Sequence, residues 1–228
     1  MARGRGSGKA NSEKILDAAE RLFAKRGFYG VTVREIAKAA GVDVALVSYY
    51  YGKKKELFET VFKRRAEEIN RERLAALEDA IARADGGVPS VEAIIAAFTE
   101  PLYEKAAKGG HCWKHYLALV AQVDNSPEWG GQLMSEAFDP LVRRFIAELK
   151  KALPDASEED IYWSYHFFSG ALVLTFGETG RIDNLSEGVA KSSDLEAVYS
   201  RMPRFIAAGF RGLCRQRRTP ERAAADDG

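Results

Sequence analysis

The sequence predicts an all-α protein in which a small three-helix unit precedes a larger C-terminal helical bundle. Apolar residues recur along most of the chain with the helical period of about 3.6 residues. No segment shows the sustained alternation of apolar and polar residues that is typical of a half-buried strand. Residues that favour helix starts and glycines that favour helix ends separate the periodic segments. The fold class follows from these three observations.

Three short helices are expected in the N-terminal unit. The first begins at Ser12 as N-cap and ends at Gly27, and its apolar face consists of Ile15, Ala19, Leu22 and Phe23. The second opens with the capping box Thr32-Val-Arg-Glu35 and ends at Gly41. The third covers Val44–Tyr50, with Asp43 as its cap.

A long helix follows this unit. It begins near Lys53 or Lys54 and continues through Leu57 to Ile81 without a break in its apolar periodicity. At about 1.5 Å per residue it would be roughly 45 Å long. A helix of that length is expected to pass from one domain into the next.

The remaining chain is expected to form five more helices. Asp85–Pro89 and Gly109-Gly110 interrupt the pattern, Ser126-Pro127-Glu128 is typical of a helix start, and Ser193–Glu196 is a second capping box. The predicted ranges are helices at 90–108, 111–123, 128–152, 157–179 and 194–213, with a loop at 180–192. The predicted domains are a flexible basic arm (1–11), the three-helix unit (12–58), the bundle (59–214) and a disordered tail (215–228).

Composition narrows the classes of function. The chain is 46% hydrophobic and 29% charged, which is ordinary for a globular protein with a real core. No apolar run has the length of a membrane span, and the basic N-terminus lacks the apolar stretch of a secretory signal. Two distant cysteines suggest no disulfide framework or metal spacing, so a cytoplasmic location and no membrane association are expected.

The charge is distributed unevenly. Residues 1–55 carry twelve Lys or Arg and five Asp or Glu, a net charge of +7, whereas the rest of the chain carries −6. A basic head on an acidic body is the electrostatic pattern of a DNA-binding domain joined to a domain with another role.

The spacing of the second and third helices indicates a helix-turn-helix. The second helix of such a unit enters the major groove, and its first turns meet base edges. The expected groove-facing residues are Val44, Ala45, Ser48 and Tyr49, with Arg34 as the donor to a guanine edge. Residues expected at phosphates are Tyr49, Tyr50 and Lys54, and the arm with Arg3, Arg5 and Lys9 is expected to lie over the backbone or in the minor groove.

This head resembles that of the tetracycline-repressor (TetR) family. The resemblance covers about residues 12–62 without a gap and rests on Ile15-Leu-x-Ala-Ala-x-x-Leu-Phe23, Gly27-Phe-x-Gly-Val-Thr32, Arg34-Glu-Ile-Ala37, Ala40-Gly-Val42, Tyr49 and Lys54-x-x-Leu57. It implies an all-helical homodimer that binds an inverted-repeat operator in double-stranded DNA, generally as a repressor. It also implies base contacts at Thr32, Arg34, Val44, Ala45 and Tyr49, and phosphate contacts at Ser48, Tyr49, Tyr50 and Lys54.

The head departs from the family pattern at a few positions. Asp43 stands where Ser or Asn is usual, Ser48 where Tyr or Asn is common, and Tyr49-Tyr50-Tyr51 where Tyr-His-Phe is frequent. DNA binding should survive these changes, but an operator cannot be copied from a relative.

The bundle is expected to bind a small molecule and to dimerise. Its helices are rich in aromatic residues, which either belong to an ordinary core or line a pocket between helices. The residues chosen for a mainly apolar pocket, suited to an aliphatic, acyl or aromatic effector, are Trp113, Tyr116, Phe138, Trp163, His166 and Phe167. Helices 157–179 and 194–213 are expected to form the dimer, because they combine small residues with large apolar ones.

Other functions are less well supported by the sequence. His111-Cys112-x-x-His115 places two histidines on one helix face but offers no evident third ligand, so no metal and no cofactor are expected. No catalytic motif is present, so an enzyme is not expected. The alternatives left open are a regulator without an effector, an all-helical enzyme, and a protein-binding module whose head no longer binds DNA.

Overall fold

The computed structural model describes residues 3–126 and 129–214, and in the first helix it describes side chains from Gly8 onward. All the regular structure in these ranges is α-helical, as predicted. The helices are α1 (Arg3–Arg26), α2 (Val33–Ala40), α3 (Val44–Tyr51), α4 (Lys54–Arg83), α5 (Val91–Lys108), α6 (Gly110–Asp124), α7 (Gly130–Ala152), α8 (Glu158–Phe176), α9 (Arg181–Leu185) and α10 (Leu195–Leu213).

Helices α1–α3 form the head. Thr32 caps α2 through the capping box, in which its hydroxyl accepts from the Glu35 backbone while the Glu35 carboxylate accepts from the Thr32 backbone. Gly41 ends α2 in the left-handed conformation, with φ at 68°, which glycine adopts without strain. The small core of this unit contains Ile15, Phe23, Ile36, Val47 and Phe58 from α4.

Helix α4 joins the head to the body. Its 30 residues correspond to about 45 Å. Its N-terminal part buries Phe58 against Phe23 of the head, and further along it buries Phe62, Ile69 and Leu77, with the Phe62 ring packed on Tyr116 and Phe138 of the body. The predicted crossing helix is therefore present, and it is a shared structural element of both units.

The body packs around α4. Helices α5, α6 and α7 contact α4, α8 lies against α6 and α7, and α10 crosses α5 and α8. The buried side chains of these helices form one continuous core with those of the head. Burial of that apolar area is the main stabilising force of the fold.

The start of α1 differs from the prediction. The helix begins at Arg3, so Ser12 lies inside it and residues 3–11 of the predicted arm are helical. The Ser12 hydroxyl lies 2.5 Å from the Tyr51 hydroxyl, and Tyr51 also donates to the Ser12 carbonyl. Ser12 thus fixes α1 to the end of α3 and does not cap a helix.

Smaller differences occur in the body. Helix α7 begins at Gly130, and the Ser126 hydroxyl donates to the Gln122 carbonyl instead of capping α7. The predicted loop at 180–192 contains the short helix α9, and α10 is capped by Asp194 and not by Ser193. Pro127, Glu128 and the predicted tail 215–228 lie outside the described residues.

Candidate functional site

The outer face of α3 is exposed. Val47 is buried against the head core, whereas Val44, Ala45 and Ser48 face solvent and Tyr49 is 81% exposed. Asp43 accepts a hydrogen bond from the Ala45 backbone at 2.7 Å, so its carboxylate is engaged in capping the helix. The four side chains that the sequence assigned to the major groove therefore all lie on the accessible surface of the head.

The start of α2 adds a second exposed group. Arg34 is exposed, and among the described residues no ion pair or hydrogen bond occupies its guanidinium. Thr32 and Glu35 are held by the capping box, and Arg26 donates to Glu35 at 2.8 Å. Hydrogen bonds from Arg26 and Thr32 lower the pKa of Glu35 to about 2. Glu35 therefore stays ionised and holds the first turn of α2 in place.

Lys54 and Tyr50 are less free than the sequence suggested. The Lys54 ammonium donates to the carbonyls of Phe28 and Val31, each at 3.0 Å, and lies 4.4 Å from the centroid of the Phe28 ring. Tyr50 is half-buried between Tyr49 and Tyr51. Lys54 thus joins α4 to the segment after α1, and one of its three N–H donors remains for a phosphate.

Charged contacts fix the head against α4. The Glu20 carboxylate is almost fully buried and accepts from Arg64 at 2.7 Å and from Arg65 at 3.1 Å. Arg64 also pairs with Asp17 and Glu13 of α1. Helices α1 and α4 are therefore joined by a partly buried ionic network.

Two further contacts join the body directly to the head. The Gln122 amide of α6 donates to the Ala24 carbonyl of α1 at 2.8 Å. The indole of Trp129, just before α7, packs on the rings of Phe28 and Phe58 at centroid distances of 5.6 and 5.2 Å. The head therefore packs against α6 and against the residue that precedes α7.

The body encloses a cavity of about 80 Å³. Helices α4 to α8 all contribute to its lining, which is mainly apolar and consists of Ile69, Arg73, Phe98, Leu102, Tyr116, Leu117, Val120, Met134, Phe138, Val142, Tyr165, Ser169, Leu172, Val173 and Phe176. The volume is about half that of an engineered cavity that admits benzene, so a ligand of any length needs some rearrangement of the lining.

Arg73 is the charged member of this lining. It is 5% exposed, and its Nε donates to the Phe98 carbonyl at 3.0 Å while its guanidinium carbon lies 4.0 Å from the Phe98 ring centroid. Burial lowers the pKa of Arg73 to about 10, which leaves the group charged at neutral pH. Arg73 was not predicted as a site residue, although the sequence places it between Ile69 and Leu77 on the face of the long helix that was expected to be buried.

The six residues that were predicted to line a pocket lie in three different environments. Tyr116 and Phe138 line the cavity. Trp113 is buried elsewhere, with Arg65 and Lys105 over its ring. The other three, Trp163, His166 and Phe167, are exposed on the outer face of α8 and do not line this cavity. When a helix carries apolar residues on both of its faces, the 3.6-residue period does not reveal which face lies against the core.

These exposed residues belong to a larger apolar surface. On α8, Trp163, Phe167 and Leu174 are 50%, 61% and 62% exposed, and on the adjoining α10 Phe205 is 74% exposed. The same two helices carry Gly170, Gly209 and Gly212 on open surface. Large apolar side chains exposed on one helix face, as on α8, are typical of interaction surfaces.

The described residues contain neither a metal-binding cluster nor a membrane-spanning helix. No cluster of three His, Cys, Asp or Glu side chains suited to a metal occurs among them, and His111 and His115 lie with ring centroids 6.4 Å apart. None of the helices in that part of the chain is long and apolar enough to span a membrane.

Family models match both parts of the chain. Residues 15–61 match the model described as "Bacterial regulatory proteins, tetR family", and residues 96–209 match the model described as "Tetracyclin repressor-like, C-terminal domain". The N-terminal match coincides with the helix-turn-helix and the start of α4. The C-terminal match covers the cavity helices α6, α7 and α8, most of α5, and the exposed apolar surface.

Individual proteins match as well. A probable HTH-type transcriptional regulator of Bacillus subtilis, YttP, is 48% identical over 50 residues, which is 22% of this chain and only 24% of that protein. An uncharacterised HTH-type regulator of Mycobacterium tuberculosis is 34% identical over 166 residues, covering 72% of this chain and 75% of the other. The solved structure of FadR from Bacillus subtilis in complex with stearoyl-CoA has a TM-score of 0.61 at 16% identity, over 87% of this chain and 98% of that one.

Proposed function

The chain belongs to the TetR family of DNA-binding transcriptional regulators, and from this premise we propose that it is a homodimeric repressor released from an inverted-repeat operator by a mainly apolar small molecule. One observation supports this proposal above the others. The body contains an internal cavity whose walls include α4, the helix that carries the head.

DNA recognition is assigned to the exposed face of the head. Arg34 offers hydrogen-bond donors to a guanine edge, Tyr49 offers a ring and a hydroxyl, and Val44 and Ala45 suit thymine methyl groups. Ser48, Tyr50 and the remaining donor of Lys54 serve phosphates, and Thr32 supports the start of α2 at the groove. The exposure of Arg34, Val44, Ala45, Ser48 and Tyr49 supports the assignment.

Dimerisation is assigned to the outer faces of α8 and α10. Trp163, Phe167 and Leu174 recur at helical spacing on α8, and Phe205 is exposed on α10. A second copy of the chain would bury this surface about a two-fold axis, and two heads related by that axis require an inverted repeat. The glycines among these residues permit close approach of the helices.

Effector control is assigned to the cavity. A ligand that enlarges a void of about 80 Å³ must displace some of the five helices around it. Two of them contact the head, α6 through Gln122 and α4 through Lys54 and Arg64. A ligand controls DNA binding only if it binds the two arrangements of the heads with different affinity. The related fold of FadR, solved with stearoyl-CoA, supports an acyl or similarly apolar effector.

The test combines ligand binding with DNA binding. Apolar compounds that raise the melting temperature of the wild-type protein are selected, and a variant that fills the cavity, Ser169→Leu, serves as control because Ser169 lines the void. We expect such compounds to weaken binding to the operator in the wild type and to have no effect on the control. A compound that binds in the cavity and leaves operator affinity unchanged contradicts the proposal.

A further inference from the structure

The cavity contains a positive charge with no negative partner. Arg73 is 5% exposed, and its contacts in the described part of the chain are a carbonyl and an aromatic ring, both from Phe98. The acidic residues nearby on α4, Glu68 and Glu72, pair with Lys105 at 2.8 and 2.6 Å. No ion pair in the described part of the chain joins Arg73 to a carboxylate, and the ionisable groups that act on its pKa are Tyr165 and Tyr116. Buried charges in proteins are usually paired, because an unpaired charge has lost its hydration without compensation.

Two tyrosine hydroxyl groups also belong to the residues that line the cavity. Tyr116 is 1% exposed, and its hydroxyl has no hydrogen-bond partner in the described structure. Tyr165 lines the same cavity. Both tyrosines interact electrostatically with Arg73, and burial raises the pKa of Tyr116 and of Tyr165, the latter to about 12. Both hydroxyls thus remain protonated and are donors.

Most of the remaining lining is apolar, with Phe138, Val142, Leu172 and Phe176 among its members. A cavity that combines one cationic group and two hydroxyl donors with hydrocarbon is complementary to an amphipathic anion. A single guanidinium balances one negative charge, and its two parallel N–H donors match a carboxylate. A phosphate carries more charge and would be harder to desolvate in so apolar a site.

We propose that the effector is a small monocarboxylate with an apolar body, anchored by the Arg73 guanidinium and the Tyr116 hydroxyl inside the α4–α8 cavity. This inference rests on the proposed function and specifies the chemistry of its ligand. The apolar body is at most about the size of a benzene ring or a short alkyl chain, because the void is about half of a cavity that admits benzene and must enlarge even for these groups. Its anchor lies on α4, so a bound carboxylate bears directly on the helix that carries the head.

The test uses pairs of probes that differ in charge alone. Hexanoate is compared with hexanamide, and benzoate with benzamide, by calorimetric titration of the full-length protein at pH 7. We expect each carboxylate to bind at least about tenfold more tightly than its amide, as hydrogen bonds to a charged group would give. Equal affinity within each pair, or tighter binding of the amides, overturns the proposal.

Three variants test whether the preference for carboxylates arises at Arg73 and Tyr116. Arg73→Met removes the charge and keeps an apolar chain of similar reach, so it should abolish the preference for carboxylates while the amides still bind. Tyr116→Phe should reduce carboxylate affinity severalfold. Arg71→Met, an exposed arginine on the same helix, is the matched control and should leave both affinities unchanged. Retention of the preference in Arg73→Met overturns the proposal, and amide binding confirms that the variant is folded.

Measurements of operator binding distinguish a failure of this inference from a failure of the proposed function. If a neutral compound releases the operator through the cavity and carboxylates do not bind, the function stands and the anionic site is refuted. If carboxylates bind through Arg73 without changing operator affinity, the anionic site stands and effector control by this cavity is refuted. Carboxylate binding that persists in Ser169→Leu lies outside the cavity and also refutes the inference.

Discussion

The ionic contact between Glu20 and α4 allows a quantitative test of how the head is fixed to the body. The Glu20 side chain is 3% exposed and accepts hydrogen bonds from Arg64 and Arg65, whose side chains are 21% and 18% exposed. Glu20→Gln keeps the size of the side chain, removes its charge and leaves both guanidinium groups without their most buried partner.

Glu20→Gln is expected to lower the free energy of unfolding by an amount at the lower end of the range measured for broken buried ion pairs. Breaking a buried ion pair by removing one partner costs about 3–5 kcal/mol. Arg64 keeps Asp17 and Glu13, and Arg65 keeps Glu68 at 3.5 Å, so part of the interaction survives. We therefore expect a loss of about 3 kcal/mol, equivalent to about 6–12 °C in melting temperature for a chain of this size.

Thermal and urea unfolding at a fixed protein concentration measure this loss, because dimer formation makes the melting temperature depend on concentration. Asp17→Asn is the control. Its carboxylate belongs to the same network but is 56% exposed, so a loss below about 1 kcal/mol is expected. A change in Glu20→Gln no larger than that of the control would refute the role given to this contact.

Three further results are expected. Arg34→Ala should weaken binding to the selected operator by about 1–3 kcal/mol, measured by fluorescence anisotropy, and an unchanged affinity would remove Arg34 from the interface. Phe167→Asp should yield a monomer in sedimentation equilibrium, since it places a charge in the apolar surface, and a persistent dimer would show that this surface is not the interface. The pKa of Glu35 falls from its usual value near 4.5 to about 2 because of Arg26 and Thr32, so its stabilising contribution is complete above pH 4.5 and is lost as the pH falls towards 2. Acid unfolding monitored by circular dichroism should be less steep in that range for Glu35→Gln, and an identical curve would contradict the assignment.

Local chemistry explains why the head could be predicted so closely. The capping box at Thr32, the glycine stop at Gly41 and the Asp43 cap depend on neighbouring residues, and the structure has all three. The start of α1 could not be predicted in the same way. Ser12 has the chemistry of an N-cap, yet its hydroxyl is used in a contact with Tyr51, 39 residues away.

The cavity could be predicted only in part because burial is a property of the whole fold. Tyr116 and Trp163 have the same aromatic character, but one faces the cavity and the other faces solvent. Helix α8 carries apolar residues on both sides, since one side meets the core and the other belongs to the surface assigned to a second subunit. Arg73 was missed for the converse reason, because charge alone predicts exposure.

If two heads of one dimer read a specific symmetric DNA sequence, selection from a random DNA pool with the purified full-length protein should recover that sequence. We expect an enriched inverted repeat that binds two protomers. The logarithm of its affinity should fall against the logarithm of salt concentration with a slope of about 4 or more, as for about five neutralised phosphates. Enrichment of no sequence, enrichment of a single unrepeated site, or binding that is indifferent to salt would contradict it.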